Sequence, residues 1–124
     1  MPRKKTAEER LNQPHSRVPR RPPEQDAFVD QFLSTVSDTS RRHILELLAQ
    51  PNKQDPLAPN ELRSGEIAEA LGLSGATTSE HLHQLADLQL VTPRKQGTAV
   101  YYRLSNHQLV QAFLDLLQAL DHHY

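Results

Sequence analysis

Apolar residues first recur with a helical period from Pro23 onward, where Phe28, Val29, Phe32, Leu33 and Val36 form one stripe on a helix of about four turns. The pattern restarts in "RRHILELLA", with Ile44, Leu45, Leu47 and Leu48 inward and Thr39 or Ser40 as the expected cap. Pro51, Pro56 and Pro59 then enforce an exposed loop, "PNKQDPLAPNE". Ser64 is placed to cap a short helix, "GEIAEAL", which Gly72 ends because a left-handed residue is needed there. Ser74 caps the next helix, running from Gly75 to about Leu88. Small Ala68 permits close approach, Gly72 permits a tight turn, and Leu82 and Leu85 return to the core. Those are the requirements of a helix-turn-helix.

Beyond "LQLV" the period changes from helical to alternating. Val91 to Lys95 forms one strand, Gln96-Gly97 a turn, and "TAVYYRL" a second strand in which Val100, Tyr102 and Leu104 alternate with Ala99, Tyr101 and Arg103. A hairpin directly after a recognition helix is a wing. The last segment, "NHQLVQAFLDLLQALDHHY", carries Leu109, Val110, Ala112, Phe113, Leu116, Leu117 and Leu120 on a broad apolar face. So apolar a face in so small a domain calls for a partner, and Phe113, Leu116, Leu117 and Leu120 are its expected contacts.

Charge sharpens this picture. The chain has 124 residues, 14 basic and 15 acidic, enough for a single core. Residues 1–23 hold seven basic residues, two acidic ones and five of the nine prolines, a net charge of +5. They read as a disordered basic arm, suited to phosphate contacts of no sequence preference or simply to solubility. Residues 24–124, the expected folded domain, carry seven basic and thirteen acidic residues, or −6. No cysteine is present, which excludes disulfides, thiolate metal sites and thiol redox switches. No apolar run reaches the ~20 residues of a membrane span, and the basic start lacks the apolar segment of a secretory signal. The cytoplasm is the expected location.

In order and spacing, "SDTSRRHILELL", "SGEIAEALGLSGATTSEHLHQLADLQLV" and "RKQGTAVYYRL" resemble the ArsR–SmtB family of dimeric bacterial repressors. The resemblance covers roughly Ala27 to Leu120. It implies a mainly helical winged helix-turn-helix in the order α-α-α-α-β-β-α, a homodimer built on the first and last helices, which adds Phe28 and Phe32 to the expected dimer contacts, and repression relieved by an effector whose identity stays open. Three departures limit it. The cysteine pair of thiolate sensors would fall near "ELRSGEIA", where this chain has Arg63-Ser64-Gly65. At the positions of the family's last-helix metal ligands stand Asn106, Gln108, Ala119 and His122, of which only His122 matches. The wing tip beyond Gly97 is Thr98, not a base.

Within that frame the outward positions of the recognition helix are Gly75, Ala76, Thr77, Ser79, Glu80 and His83, with Thr78 in a core position and His81 partly buried. Hydroxyls and imidazole can bond base edges or phosphates, and Glu80 can accept from a cytosine amino group. Arg41, Arg42, Arg94 and Lys95 are the expected phosphate contacts on double-stranded DNA. His107, Asp121, His122 and His123 could meet across an antiparallel dimer to hold zinc, nickel or cobalt. A polar helix end explains the same residues without a cofactor, and that reading is preferred. No nucleophile and base pair, paired carboxylates or phosphate-binding glycine loop suggests an enzyme. The competing readings are a winged-helix interaction dimer without specific DNA binding, supported by the acidic body and Glu80, and a metal-responsive repressor using the shifted histidines.

Overall fold

A computed structural model describes residues 4, 6–11, 18, 20–105 and 107–124, and the chain divides into two units, Met1–Leu33 and Ser34–Tyr124. In the first unit a short helix, α1 (Ala7–Leu11), lies in the stretch expected to be disordered. Its cause is a reciprocal cap: the Thr6 N–H donates to Glu9 Oε2 at 2.9 Å and the Glu9 N–H to Thr6 Oγ1 at 3.1 Å. Helix α2 (Pro23–Val36) opens on proline, whose missing N–H costs nothing at a first turn, with Glu24 and Asp26 favoured there by the helix dipole. Phe28 and Leu33 remain exposed on it, and Phe32 is half-buried.

The second unit is built on α3 (Thr39–Leu48), β1 (Leu62–Arg63), α4 (Ser64–Leu71), α5 (Gly75–Asp87), β2 (Val91–Gln96), β3 (Ala99–Leu104) and α6 (Gln108–His123). Its core takes Ile44, Leu45 and Leu48 from α3, Ile67 and Ala68 from α4, and Leu82 and Leu85 from α5. Val36, Leu88, Leu90, Val91, Val110 and Phe113 complete it. Each large side chain buried this way contributes about 1.5–3 kcal/mol. Thr78 is also fully buried, its hydroxyl donating to the Ser74 carbonyl at 2.8 Å. That bond satisfies the Thr78 hydroxyl among apolar neighbours.

Two caps lie one residue earlier than expected. Asp38, not Thr39 or Ser40, caps α3 by accepting from the Arg41 N–H at 2.9 Å. Arg63, not Ser64, is the first cap of α4, and Glu66 reaches back to accept the Arg63 N–H at 2.9 Å. The sheet also has a third strand. β1 pairs antiparallel with β3, Leu62 opposite Tyr102 and Arg63 opposite Tyr101, so the order is β1-β3-β2 and not the two-stranded hairpin alone. Two residues are too few to show an alternating pattern. Gln96 pairs with Ala99, which leaves Gly97 and Thr98 as the turn, one residue later than expected. Gly97, at φ +62°, supplies the left-handed conformation that such a turn demands. No helix among the described residues is long and apolar enough to cross a membrane.

Candidate nucleic-acid interface

Helix α4 ends at Gly72, whose φ of +67° lets the chain reverse, and Leu73 N–H returns to the Ala68 carbonyl at 2.9 Å. Two residues on, Ser74 caps α5 by accepting the Thr77 N–H at 3.1 Å. This turn fixes the phase of α5. Thr78, Leu82 and Leu85 are buried, so Gly75, Ala76, Thr77, Ser79, Glu80 and His83 are all left exposed on the opposite flank. The Ser79 and Ser64 hydroxyls lie 3.4 Å apart and link the starts of the two helices.

The basic residues expected at phosphates differ in what they bond within the chain. Arg41 and Arg42 both donate to backbone carbonyls. Arg41 Nε donates to the Thr35 carbonyl at 2.7 Å, and its Nη1 donates to Gln84 Oε1 at 2.6 Å and lies 3.4 Å from His81 Nδ1. Arg42 Nη1 donates to the Val36 and Ser37 carbonyls at 3.1 and 2.8 Å. These carbonyls close α2, where four acceptors lack helical partners and a cation is favoured by the dipole. The two arginines therefore complete a helix end, and Arg41 also ties α3 to α5. His81 is half-buried against that guanidinium.

On the wing, Lys95 is exposed, whereas Arg94 is held on three sides. Its Nε lies 2.9 and 3.2 Å from the two Glu61 carboxylate oxygens, its Nη1 donates to Gln96 Oε1 at 3.0 Å, and its Cζ stands 5.1 Å from the Tyr101 ring centroid. The Glu61 carboxylate raises the Arg94 pKa further above its already high ordinary value. Glu61, Tyr101 and Arg103 were not singled out from the sequence. The period-2 alternation of the wing would have grouped Tyr101, Arg103 and Arg94 on one face, but a partner for them in the preceding loop shows only once β1 is paired.

The same order of elements occurs in known proteins. A profile for "Bacterial regulatory protein, arsR family" matches residues 38–92. The transcriptional activator HlyU of Vibrio cholerae is 41% identical over 93 residues, 71% of this chain and 85% of that protein. The arsenical resistance operon repressor of Staphylococcus aureus is 35% identical over 90 residues, 73% of this chain and 74% of that one. This chain belongs to the ArsR family of bacterial regulatory proteins. Among solved structures, the homodimeric winged helix-turn-helix DNA-binding domain from Mycobacterium bovis aligns with a TM-score of 0.65 at 28% identity, covering 86% of this chain and 93% of that one. As an ArsR-family chain with this fold, it is a DNA-binding transcription regulator and not an enzyme.

The remaining ArsR-type expectations concern α6. Phe113 is buried within the chain, as is Val110 one turn before it on α6. Leu116 and Leu120 are more than half exposed and Leu117 is half-buried. Asp121, His122 and His123 are exposed at the helix end. His107 caps the start of α6, and Asn106 lies outside the described residues. Among the described residues no three His, Asp or Glu side chains converge as a metal site.

Proposed function

We propose that the protein is a cytoplasmic repressor that binds an imperfectly palindromic operator as a homodimer, two copies of α5 reading successive major grooves. The observation that carries this reading is the exposure of Thr77, Ser79, Glu80 and His83 on one flank of a helix whose opposite flank is fixed in the core. Lys95 and the basic residues 1–23 are the phosphate contacts that offset the acidic body. Arg94 contributes from its clamped position. Leu116 and Leu120, exposed on α6, and Phe28, exposed on α2, are the apolar positions through which a second copy would associate. Repression is favoured by the relatives named as operon repressors, although one relative is named an activator. The effector is not a soft metal bound by thiolates, since the chain has no cysteine.

Replacing Thr77, Ser79 and His83 by alanine is expected to weaken operator binding by about 1–3 kcal/mol for each side chain that reads a base edge, with little change in thermal stability. Removal of residues 1–21 should instead weaken binding to any duplex and flatten its salt dependence. A triple variant as tight and as selective as the parent in a gel-shift titration would remove α5 from the groove.

A further inference from the structure

The polar face of the small sheet gathers Arg63, Arg94 and Arg103 around Tyr101. Register places Arg63 and Arg94 both opposite Tyr101, and Arg103 two residues along the same strand. Two carboxylates answer three guanidinium groups. Glu66 takes Arg63 at 3.3 Å, while Glu61 takes Arg94 at 2.9 Å and lies 3.9 Å from Arg103. Glu61 is the least exposed member of these pairs, with a side chain 20% accessible. It stands in the loop just before β1.

We propose that Glu61 is a positioning residue that stands in for a DNA phosphate at the base of the wing, holding Arg94 ready while cancelling part of its charge. This rests on the DNA-binding reading above. An arginine has five N–H donors in a planar fork. Glu61 occupies the Nε edge, Gln96 takes one Nη1 hydrogen, and the guanidinium carbon stands over the Tyr101 ring, so the Nη2 end is left for a phosphate oxygen. Side-chain order is thus established before DNA arrives. The carboxylate also keeps the wing from binding every duplex tightly, because two arginines share one negative charge. Indiscriminate phosphate contact is thereby restrained, and a larger share of the discrimination falls to α5.

Glu61→Gln separates the two roles, since its amide oxygen still accepts from Nε while the charge is gone. Binding of parent, E61Q, R94A and E61Q/R94A to a duplex without an operator, titrated over several salt concentrations, tests the proposal. E61Q is expected to bind several-fold tighter than the parent, with the slope of log K against log salt steeper by about 1. That gain should shrink in the R94A background. Unchanged affinity and slope for a folded E61Q, or weaker binding, would overturn the role of Glu61 while leaving the DNA-binding reading intact. A parent that binds no duplex would remove both. Should E61Q fail to fold, the Arg94 Nε–H resonance of the parent decides: movement that saturates on addition of duplex supports the clamp, and no movement refutes it.

Discussion

His107 ties the end of the recognition helix to the start of the last helix: its Nε2 lies 2.6 Å from the Gln89 carbonyl, and its Nδ1 lies 3.3 Å from the Val110 N–H. A carbonyl can only accept and a backbone N–H can only donate, so the ring is the neutral tautomer with its proton on Nε2. Gln89 sits at φ +58°, an uncommon conformation for a side-chain-bearing residue, and the bond to its carbonyl helps hold that turn. His107→Ala is expected to cost about 1–2 kcal/mol, by loss of a cap and of a bond to a constrained turn. Chemical denaturation measures the cost, and nitrogen chemical shifts of the imidazole check the tautomer.

Long periodic elements could be read from sequence because each buries one face repeatedly, as Ile44, Leu45 and Leu48 do on α3. Gly72 and Ser74 were equally readable, since a left-handed turn and a helix start admit few residue types. Other features needed three dimensions. Asp38 and Thr39 can both cap a helix, and only the backbone decides which one does. That Arg41 and Arg42 bond the carbonyls at the end of α2 shows only once the two helices are placed beside each other. Phe113 and Leu116 share one stripe on α6, but the core ends between them. Glu61 is 33 residues from Arg94, and no local pattern joins them.

Arg41 should behave as a structural residue. Its guanidinium donates to a helix-end carbonyl and to Gln84, and bonds to charged groups contribute about 1.5–3 kcal/mol. Arg41→Ala is therefore expected to lower the unfolding free energy by that order, with any loss of DNA binding recovered at protein concentrations and temperatures where the variant is folded. A variant of parental stability with weakened DNA binding would instead make Arg41 a phosphate contact.

Acid should loosen the caps of α3 and α4. The Arg41 N–H chiefly, with the charges of Arg41 and His81, holds the Asp38 carboxyl below its ordinary pKa, and the Arg63 N–H does the same for Glu66. A carboxyl whose pKa is lowered by folding stabilises fully above its unfolded value and loses that contribution as pH falls through the folded one. Stability is thus expected to be level from neutral pH to about 5 and to fall below about 4. Asp38→Asn, which still caps but does not titrate, should make the fall shallower in thermal melts recorded across that range.

Phe113 and Leu120 should respond in opposite ways. Phe113 is 7% exposed, and its truncation to alanine is expected to cost about 3–5 kcal/mol of stability in the folded domain itself. Leu120, 55% exposed, and Leu116, 53% exposed, have little to lose within one chain. Leu116→Asp or Leu120→Asp should leave the melting temperature of the monomer near that of the parent while dissociating the dimer and abolishing operator binding. Sedimentation that shows an unchanged dimer in both variants would place the interface elsewhere.

Zinc, cobalt and nickel are expected to bind no tighter than about 1 μM and to leave DNA affinity unchanged. Imidazole ligation of these metals needs three or four converging donors. Both ring nitrogens of His107 are already engaged, so it could ligate only by giving up the Val110 cap or the Gln89 bond. His122 and His123 are neighbours on α6, about 100° apart around the helix, so they do not point at one centre. In the last turn both are placed where the helix dipole favours a basic group, which accounts for them without a metal. Calorimetric titration of the dimer with zinc, repeated on the His122→Ala/His123→Ala variant, decides the matter. A sub-micromolar site that vanishes in the variant would make this protein a metal sensor, with release of the His107 bridge as the step by which metal at α6 reaches the recognition helix.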